Sequence, residues 1–416
     1  VIFYKNGNEF ADDFGRLIPE FLDRSQILSE MAVLFRSFPL FHAWQKGGSW
    51  CNASQHPEPF TMISPHKSQT DGHLPTVAPT IQQLCRRFSA NSQDLERIAA
   101  VYPMRISRYY LDLIQKPGDP IWRQAVPDPL ELVDPQGLED PLNEEQLSPV
   151  PNLVHKYPDR ALLLISSKCP VYCRFCTRKR KVGRPEMRIT DETIAAGLDY
   201  LRRTPAINDV LLSGGDPLML SDQRLHDILV QVRAIPSIRI IRIGTRVPCT
   251  LPTRVTRDLA TMLARFHPLY INTHFNHPRE LTPQAEQACG LLADAGIPLG
   301  CQTVLLRGIN DSAQTLAELF RGLLAMRVKP YYLFQLDQTR GTSHFRTTID
   351  HGQALMAQLI GHISGMAIPT YALDAPGGGG KIPLTPHYVT ACGTTLEFTN
   401  YQGRPCSYPN TLWDGS

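Results

Sequence analysis

Between residues 161 and 336, short apolar runs alternate with amphipathic stretches, and this pattern limits the possible folds more than any other feature of the chain. The runs at 161–167, 209–213, 238–244, 269–274, 298–304 and 330–336 have the length and composition of buried strands. Helical spacing fills the gaps, roughly 190–203, 221–234, 253–266, 282–295 and 312–326. Ser221 stands where a helix N-cap is needed, and Gly296 and Pro236 follow helix ends. Strands joined in series by helices run parallel, through right-handed crossovers. Six units predict an α/β fold, an open or three-quarter (β/α)6 barrel. Residues 368–373, after a helix near 351–364, add a further strand. With 416 residues, 42 % of them hydrophobic, the chain can bury a large core. Barrels of this kind keep their chemistry on the loops that leave the strand C-terminal ends.

The loop after the first strand carries Cys169, Cys173 and Cys176, a C-x3-C-x2-C spacing. Five Arg or Lys residues follow the first thiol within twelve positions, a cationic setting expected to favour the thiolate that binds metal. Three thiolates can hold three irons of a cubane cluster and leave the fourth open. Structural zinc usually wants four ligands in two close pairs, and no second Cys pair or C-x2-C/H-x3-H set is present. Inert core thiols are the third reading.

Other strand ends are also marked. The second strand closes on Gly214, Gly215 and Asp216, where glycines allow close backbone approach and an acid can hold an ammonium. His274 and Gln302 end later strands. The segment Asp374-Ala-Pro-Gly-Gly-Gly-Gly-Lys381 presents an amine on a glycine-rich loop, which suits Schiff-base chemistry. It is not a nucleotide P-loop, because Ala375 and Ile382 break that pattern at two positions.

The cysteine spacing resembles that of the radical S-adenosylmethionine (SAM) enzymes. Asp140-Pro-Leu, Ser148-Pro-Val-Pro, His155-Lys-Tyr-Pro-Asp-Arg160 and Cys176-Thr-Arg-Lys-Arg are similar to one branch, the lysine 2,3-aminomutase family. The similarity runs from about residue 78 to about 403. It implies a [4Fe-4S] cluster on Cys169, Cys173 and Cys176, SAM, and pyridoxal 5′-phosphate (PLP). The implied activity moves the 2-amino group of L-lysine to carbon 3, through a 5′-deoxyadenosyl radical and PLP. By the same resemblance Gly214, Gly215, Asp216, His274 and Gln302 face SAM, and Lys381 carries PLP. Lys156, Tyr157 and Arg160 match the holders of the PLP phosphate. Arg178 matches the partner of the substrate carboxylate, and Asp337 with Asp374 match the pair that grips the lysine side-chain ammonium. Phe175 stands where the lysine enzymes carry His; it keeps a stacking face and loses a polar handle. Zinc-bearing relatives have a cysteine where this chain has Ser312, and a cysteine cluster in the tail that is missing here, so no zinc is expected.

Rival readings are an aminomutase acting on arginine or on a translation-factor-linked lysine, another radical SAM enzyme, and an electron carrier or zinc scaffold. A net charge of +3 argues against a nucleic-acid or membrane-surface partner, and no apolar run of 18 residues exists to span a bilayer. An open cluster needs a reducing compartment, which points to the cytoplasm. The partners expected are an amino acid, a flavodoxin- or ferredoxin-type electron donor, and further copies of the chain. The expected division is an N-terminal extension (1–76), a helical segment with a proline-rich wrapping connection (77–151), the barrel (152–350) and a C-terminal segment with the lysine loop (351–416).

Overall fold

In the computed structural model, residues 79–412 are described; the expected N-terminal extension (1–76) lies outside them. The main sheet is built from β1 (Leu153–Tyr157), β2 (Arg160–Ser166), β3 (Asp209–Gly214), β4 (Ile240–Gly244), β5 (Leu269–Thr273), β6 (Leu299–Leu305), β7 (Lys329–Gln335), β8 (Thr370–Ala375) and β9 (Gly380–Pro383). Their order in the sheet is their order in the chain. Strands β2 to β8 are parallel, so all six expected strands and the added one belong to one sheet. The (β/α)6 expectation therefore holds, extended by β8.

The two edges depart from the sequence reading. β1 folds back antiparallel on β2, with Leu153 opposite Leu163, and β9 returns antiparallel on β8, with Asp374 opposite Lys381. Both are short and lie in stretches whose charged or glycine residues hide any strand alternation. A separate three-stranded antiparallel sheet follows, β10 (Val389–Cys392), β11 (Thr395–Thr399) and β12 (Pro405–Pro409).

Successive strand residues point to opposite faces. Val210 and Leu212 of β3 are fully buried, in one apolar cluster with Ile194 and Leu198 of helix Asp191–Arg203 and with Leu225 and Ile228 of helix Asp222–Arg233. Their neighbours Asp209, Leu211 and Ser213 line an interior cavity instead. Burying each such leucine or isoleucine contributes roughly 1.5–3 kcal/mol. The helix ends follow the local chemistry: the Ser221 hydroxyl accepts from the Arg224 N–H (3.2 Å), and Gly296 takes the left-handed conformation (φ 76°) that ends helix Pro283–Asp294. Ser312 likewise caps helix Ala313–Ala325 through the Thr315 N–H (3.2 Å).

β1 and β9 are the outermost strands, and no backbone pairing joins them among the described residues. Their side chains nevertheless meet. The Tyr157 hydroxyl accepts from the Lys381 backbone N–H (3.2 Å), and Lys156 Nζ stands 3.5 Å from Asp374 Oδ1. The sheet therefore curls into a cylinder with a seam bridged by side chains. The N-terminal helical segment covers it through Leu84, Leu95, Ile106, Tyr110 and Ile121, which join the same apolar cluster.

Candidate functional site

A cavity of about 710 Å³ opens among the strand C-terminal ends, and every site residue expected from the sequence lines it. Cys169, Cys173 and Cys176 share it with Gly214, Gly215, Asp216, His274 and Gln302, and with Lys156, Tyr157, Arg160, Arg178, Asp337, Asp374 and Lys381. None of the nine described cysteines is in a disulfide. Among the described residues, no three His, Cys, Asp or Glu side chains converge as a single-ion site.

The cysteine loop is held by residues far away in sequence. Arg174, 1 % exposed, donates to Glu131 Oε1 (2.8 Å) and to the Pro103 and Tyr102 carbonyls (2.9 and 3.2 Å). Lys179 reaches Glu131 (2.6 Å) and the Arg174 and Gly341 carbonyls (2.9 and 2.8 Å). Arg178 pairs with Glu144, Arg180 with Asp140 and Glu145, and Lys181 with Glu145. The five basic residues are thus engaged elsewhere, and although Arg178 and Lys179 still lower the Cys176 thiol, they do not decide its ionisation. Burial dominates: it pushes Cys176 up to about 11, and Cys169 well above its ordinary range, with Asp216 and the other two thiols adding to it. A metal that takes the proton's place would ionise the buried Cys169 and Cys176.

The glycine pair at the end of β3 packs against the start of the same loop. A Cβ on Gly214 (φ 128°) would lie 2.2 Å from the Ser166 carbonyl oxygen, and one on Gly215 would lie 2.5 Å from that of Lys168. The Gly215 and Asp216 amides donate to those two carbonyls (2.5 and 2.7 Å). Asp216, 2 % exposed, accepts from Thr245 Oγ1 (2.7 Å), the Arg246 N–H (2.7 Å) and the Leu218 N–H (3.0 Å). Its carboxylate therefore ties the ends of β3 and β4 together at the cavity wall.

Sequence reading missed Arg246 altogether. Its guanidinium is buried, donating from Nη1 to Cys173 Sγ (2.8 Å) and from Nη2 to Gln124 Oε1 (2.6 Å) and Glu280 Oε1 (2.8 Å). Burial opposes ionisation of Glu280, but Arg246, Tyr110 and two backbone amides hold its carboxyl below the usual range. One of those amides belongs to Asn276, whose Oδ1 accepts from the Val304 N–H (3.0 Å) and faces His274 Nε2 (3.0 Å). An oxygen that accepts an amide is fixed as an acceptor, so His274 donates from Nε2 and keeps Nδ1 as an acceptor. Burial, then Arg246, pushes His274 down to about 3, so its ring is neutral. The ring lies 5.5 Å from that of Phe175, centroid to centroid. Arg246, Gln124 and Glu280 sit in no short motif; the one cue was an Arg two residues past a strand end.

On the seam side, Lys381 Nζ contacts both Asp374 oxygens (3.3 and 3.2 Å). The Arg160 guanidinium lies 3.8 Å above the Tyr157 ring. Asp337 is pushed up to about 7, by burial first and by the Asp374 charge second, with Lys381 and Lys156 opposing. The two acids expected to act as a pair are therefore electrostatically coupled. Arg178 uses one edge of its fork on Glu144, Nε to Oε2 at 2.9 Å and Nη2 to Oε1 at 2.6 Å.

Residues 163–320 match the radical SAM superfamily, and residues 356–412 match the family described as lysine-2,3-aminomutase. An L-lysine 2,3-aminomutase of Clostridium subterminale is 48 % identical over 340 residues, 80 % of this chain and 82 % of that protein. One from Fusobacterium nucleatum subsp. nucleatum is 50 % identical, over 73 % of this chain and 75 % of its own. A glutamate 2,3-aminomutase of Clostridioides difficile is 42 % identical, over 77 % of this chain and 76 % of its own.

Proposed function

The chain belongs to the lysine 2,3-aminomutase family of radical SAM enzymes, and from that membership we propose that it moves the 2-amino group of L-lysine to carbon 3, giving β-lysine. The observation that carries the substrate is the coupled pair Asp337 and Asp374 in the cavity that also holds Lys381. Two carboxylates in a desolvated pocket favour a cation and repel a glutamate side chain. A guanidinium would also pair with them, but it is longer and planar and needs a deeper site. The test is an anaerobic assay of the reconstituted protein with lysine, arginine and glutamate. Lysine should turn over fastest, and a higher rate on either of the others would overturn the assignment.

The residues fit the groups this family uses. Three free thiols on one cavity suit an open [4Fe-4S] cluster. The neutral wall of Phe175, His274, Gln302 and the glycine turn suits SAM. The cations Lys156 and Arg160, the Tyr157 hydroxyl and the Lys381 amine suit PLP, whose phosphate wants charged donors. When bound, cluster and SAM supply a hydrogen-abstracting radical and PLP the electron-accepting ring; the chain supplies position and charge. Arg178 takes the substrate carboxylate, while Asp337 and Asp374 take the side-chain ammonium. A substrate gripped at both ends presents the carbons between them in one orientation. His274, neutral at any working pH, offers an acceptor without adding charge.

We also read the chain as a cytoplasmic homo-oligomer reduced by a flavodoxin- or ferredoxin-type donor, and as lacking zinc. The free thiols support a reducing compartment. The thin sheet β10–β12, with Val389 and Tyr408 exposed, supports self-association. Among the described residues no helix is long and apolar enough to cross a membrane. Elemental analysis should find iron and sulfide with no stoichiometric zinc; one tightly held zinc per chain would refute that part.

A further inference from the structure

We propose that Glu144 is a positioning residue that fixes Arg178 for the substrate carboxylate, an inference that rests on the reading of Arg178 above. Both side chains line the cavity and both are 13 % exposed. Glu144 holds the Nε–Nη2 edge of the guanidinium side-on. A guanidinium has a second bidentate edge, formed by Nη1 and the outer hydrogen of Nη2. That edge is left for a second carboxylate.

Glu144 is itself held in place. Asn143 before it takes the left-handed conformation (φ 56°), the Glu145 N–H donates to Asp140 Oδ2 (2.9 Å), and Ser148 Oγ donates to the Glu144 carbonyl (2.6 Å). The same turn grips both loops of the site. On one side Arg180 reaches Asp140 (3.2 Å) and Glu145 (3.0 Å). On the other the Gly377 N–H donates to the Pro141 carbonyl (3.1 Å), and Leu147 fills the space beside Gly378, 2.7 Å from where a Cβ would stand. Glu144 therefore stands on a bridge between the cysteine loop and the lysine loop. A long Arg side chain loses rotamer freedom when it binds, and a partner that removes that freedom beforehand improves affinity.

Electrostatics alone predicts the opposite sign. The Glu144 charge offsets that of Arg178 and also faces Asp337, so removing it would strengthen the attraction for a carboxylate. Nor is Glu144 a stand-in that substrate displaces. Displacement would leave its carboxylate buried, with Arg180, 4.0 Å away, as its other ion-pair partner among the described residues.

The experiment uses reconstituted holoenzyme carrying Glu144→Gln, Arg178→Gln or both. Binding of lysine and of lysinamide, which has no carboxylate, is followed by calorimetry and by the visible absorption of bound PLP. Glu144→Gln should weaken lysine binding about tenfold, leave lysinamide within about twofold, and add little on top of Arg178→Gln. Should Glu144→Gln lose iron or PLP, the milder Glu144→Asp carries the same test with the same partition. Lysine binding that is unchanged or tighter in the Glu144 variant, while Arg178→Gln weakens it, would overturn this proposal alone. Normal lysine binding by Arg178→Gln would overturn the reading of Arg178 and this proposal with it.

Discussion

If Asp337 grips the substrate ammonium as proposed, substrate affinity depends on pH and binding is set against stability. Its carboxyl is pushed from 3.8 to about 7 by burial and by Asp374. That is about 3 pH units, or about 4 kcal/mol against ionising it in the substrate-free protein. The folded chain holds this proton between about pH 4 and pH 7, where the unfolded chain has lost it. Stability therefore falls as pH rises through that window, and the full penalty is present above about pH 7. The ammonium of lysine needs the ionised form. If only that form binds, apparent affinity scales with the ionised fraction, so binding should weaken about tenfold from pH 8 to pH 6. Asp337→Asn removes the titration. It should weaken lysine binding at pH 8 by about 2–4 kcal/mol, flatten this part of the pH profile, and raise thermal stability at pH 8. The assay is lysine binding and thermal unfolding of both proteins at pH 6, 7 and 8, with the variant as baseline for all other ionisations. Equal pH dependence in the two, or undiminished lysine binding by the variant at pH 8, would refute the reasoning.

Replacing Cys169, Cys173 or Cys176 with Ala should remove iron and abolish SAM cleavage, whereas Cys249→Ala, buried outside the motif, should keep its iron by elemental analysis. Lys381→Ala should lose the visible absorption of bound PLP while retaining iron, as read by spectrophotometry on the reconstituted protein. Gly214→Ala forces a Cβ to within 2.2 Å of a backbone oxygen at a φ of 128°, and should cost more than about 3 kcal/mol in denaturant titration.

The parallel strands were legible because each is an apolar run of ordinary length bounded by helix caps, and Ser221 and Gly296 act in the fold as their residue types suggest. Cys169, Cys173, Cys176 and Lys381 stood out as candidates because such chemistry needs local spacing, and the fold brings them to one cavity. What escaped were contacts made across long sequence separations. Glu131 holds Arg174 from 43 positions away, and Gln124 meets Arg246 across 122. No local pattern announces such a partner. The basic run after Cys169 misled for the same reason: its composition is cationic, but its partners, Glu131, Asp140, Glu144 and Glu145, come from the preceding connection. β1 and β9 escaped because their pairing is decided by neighbouring strands more than by their own residues.

The cylinder's seam has a mechanical meaning. Backbone hydrogen bonds join every neighbouring pair from β1 to β9, but across the seam the bridges are the Lys156–Asp374 ion pair and the Tyr157–Lys381 hydrogen bond. All four residues are ones assigned above to substrate or cofactor. On that proposal the wall of the vessel is completed by the groups that hold its contents, and filling it would change how the wall is fastened. The facing backbone edges of β1 and β9 become a strain gauge for occupancy: their amide exchange rates should report whether the cavity is loaded, before any product forms.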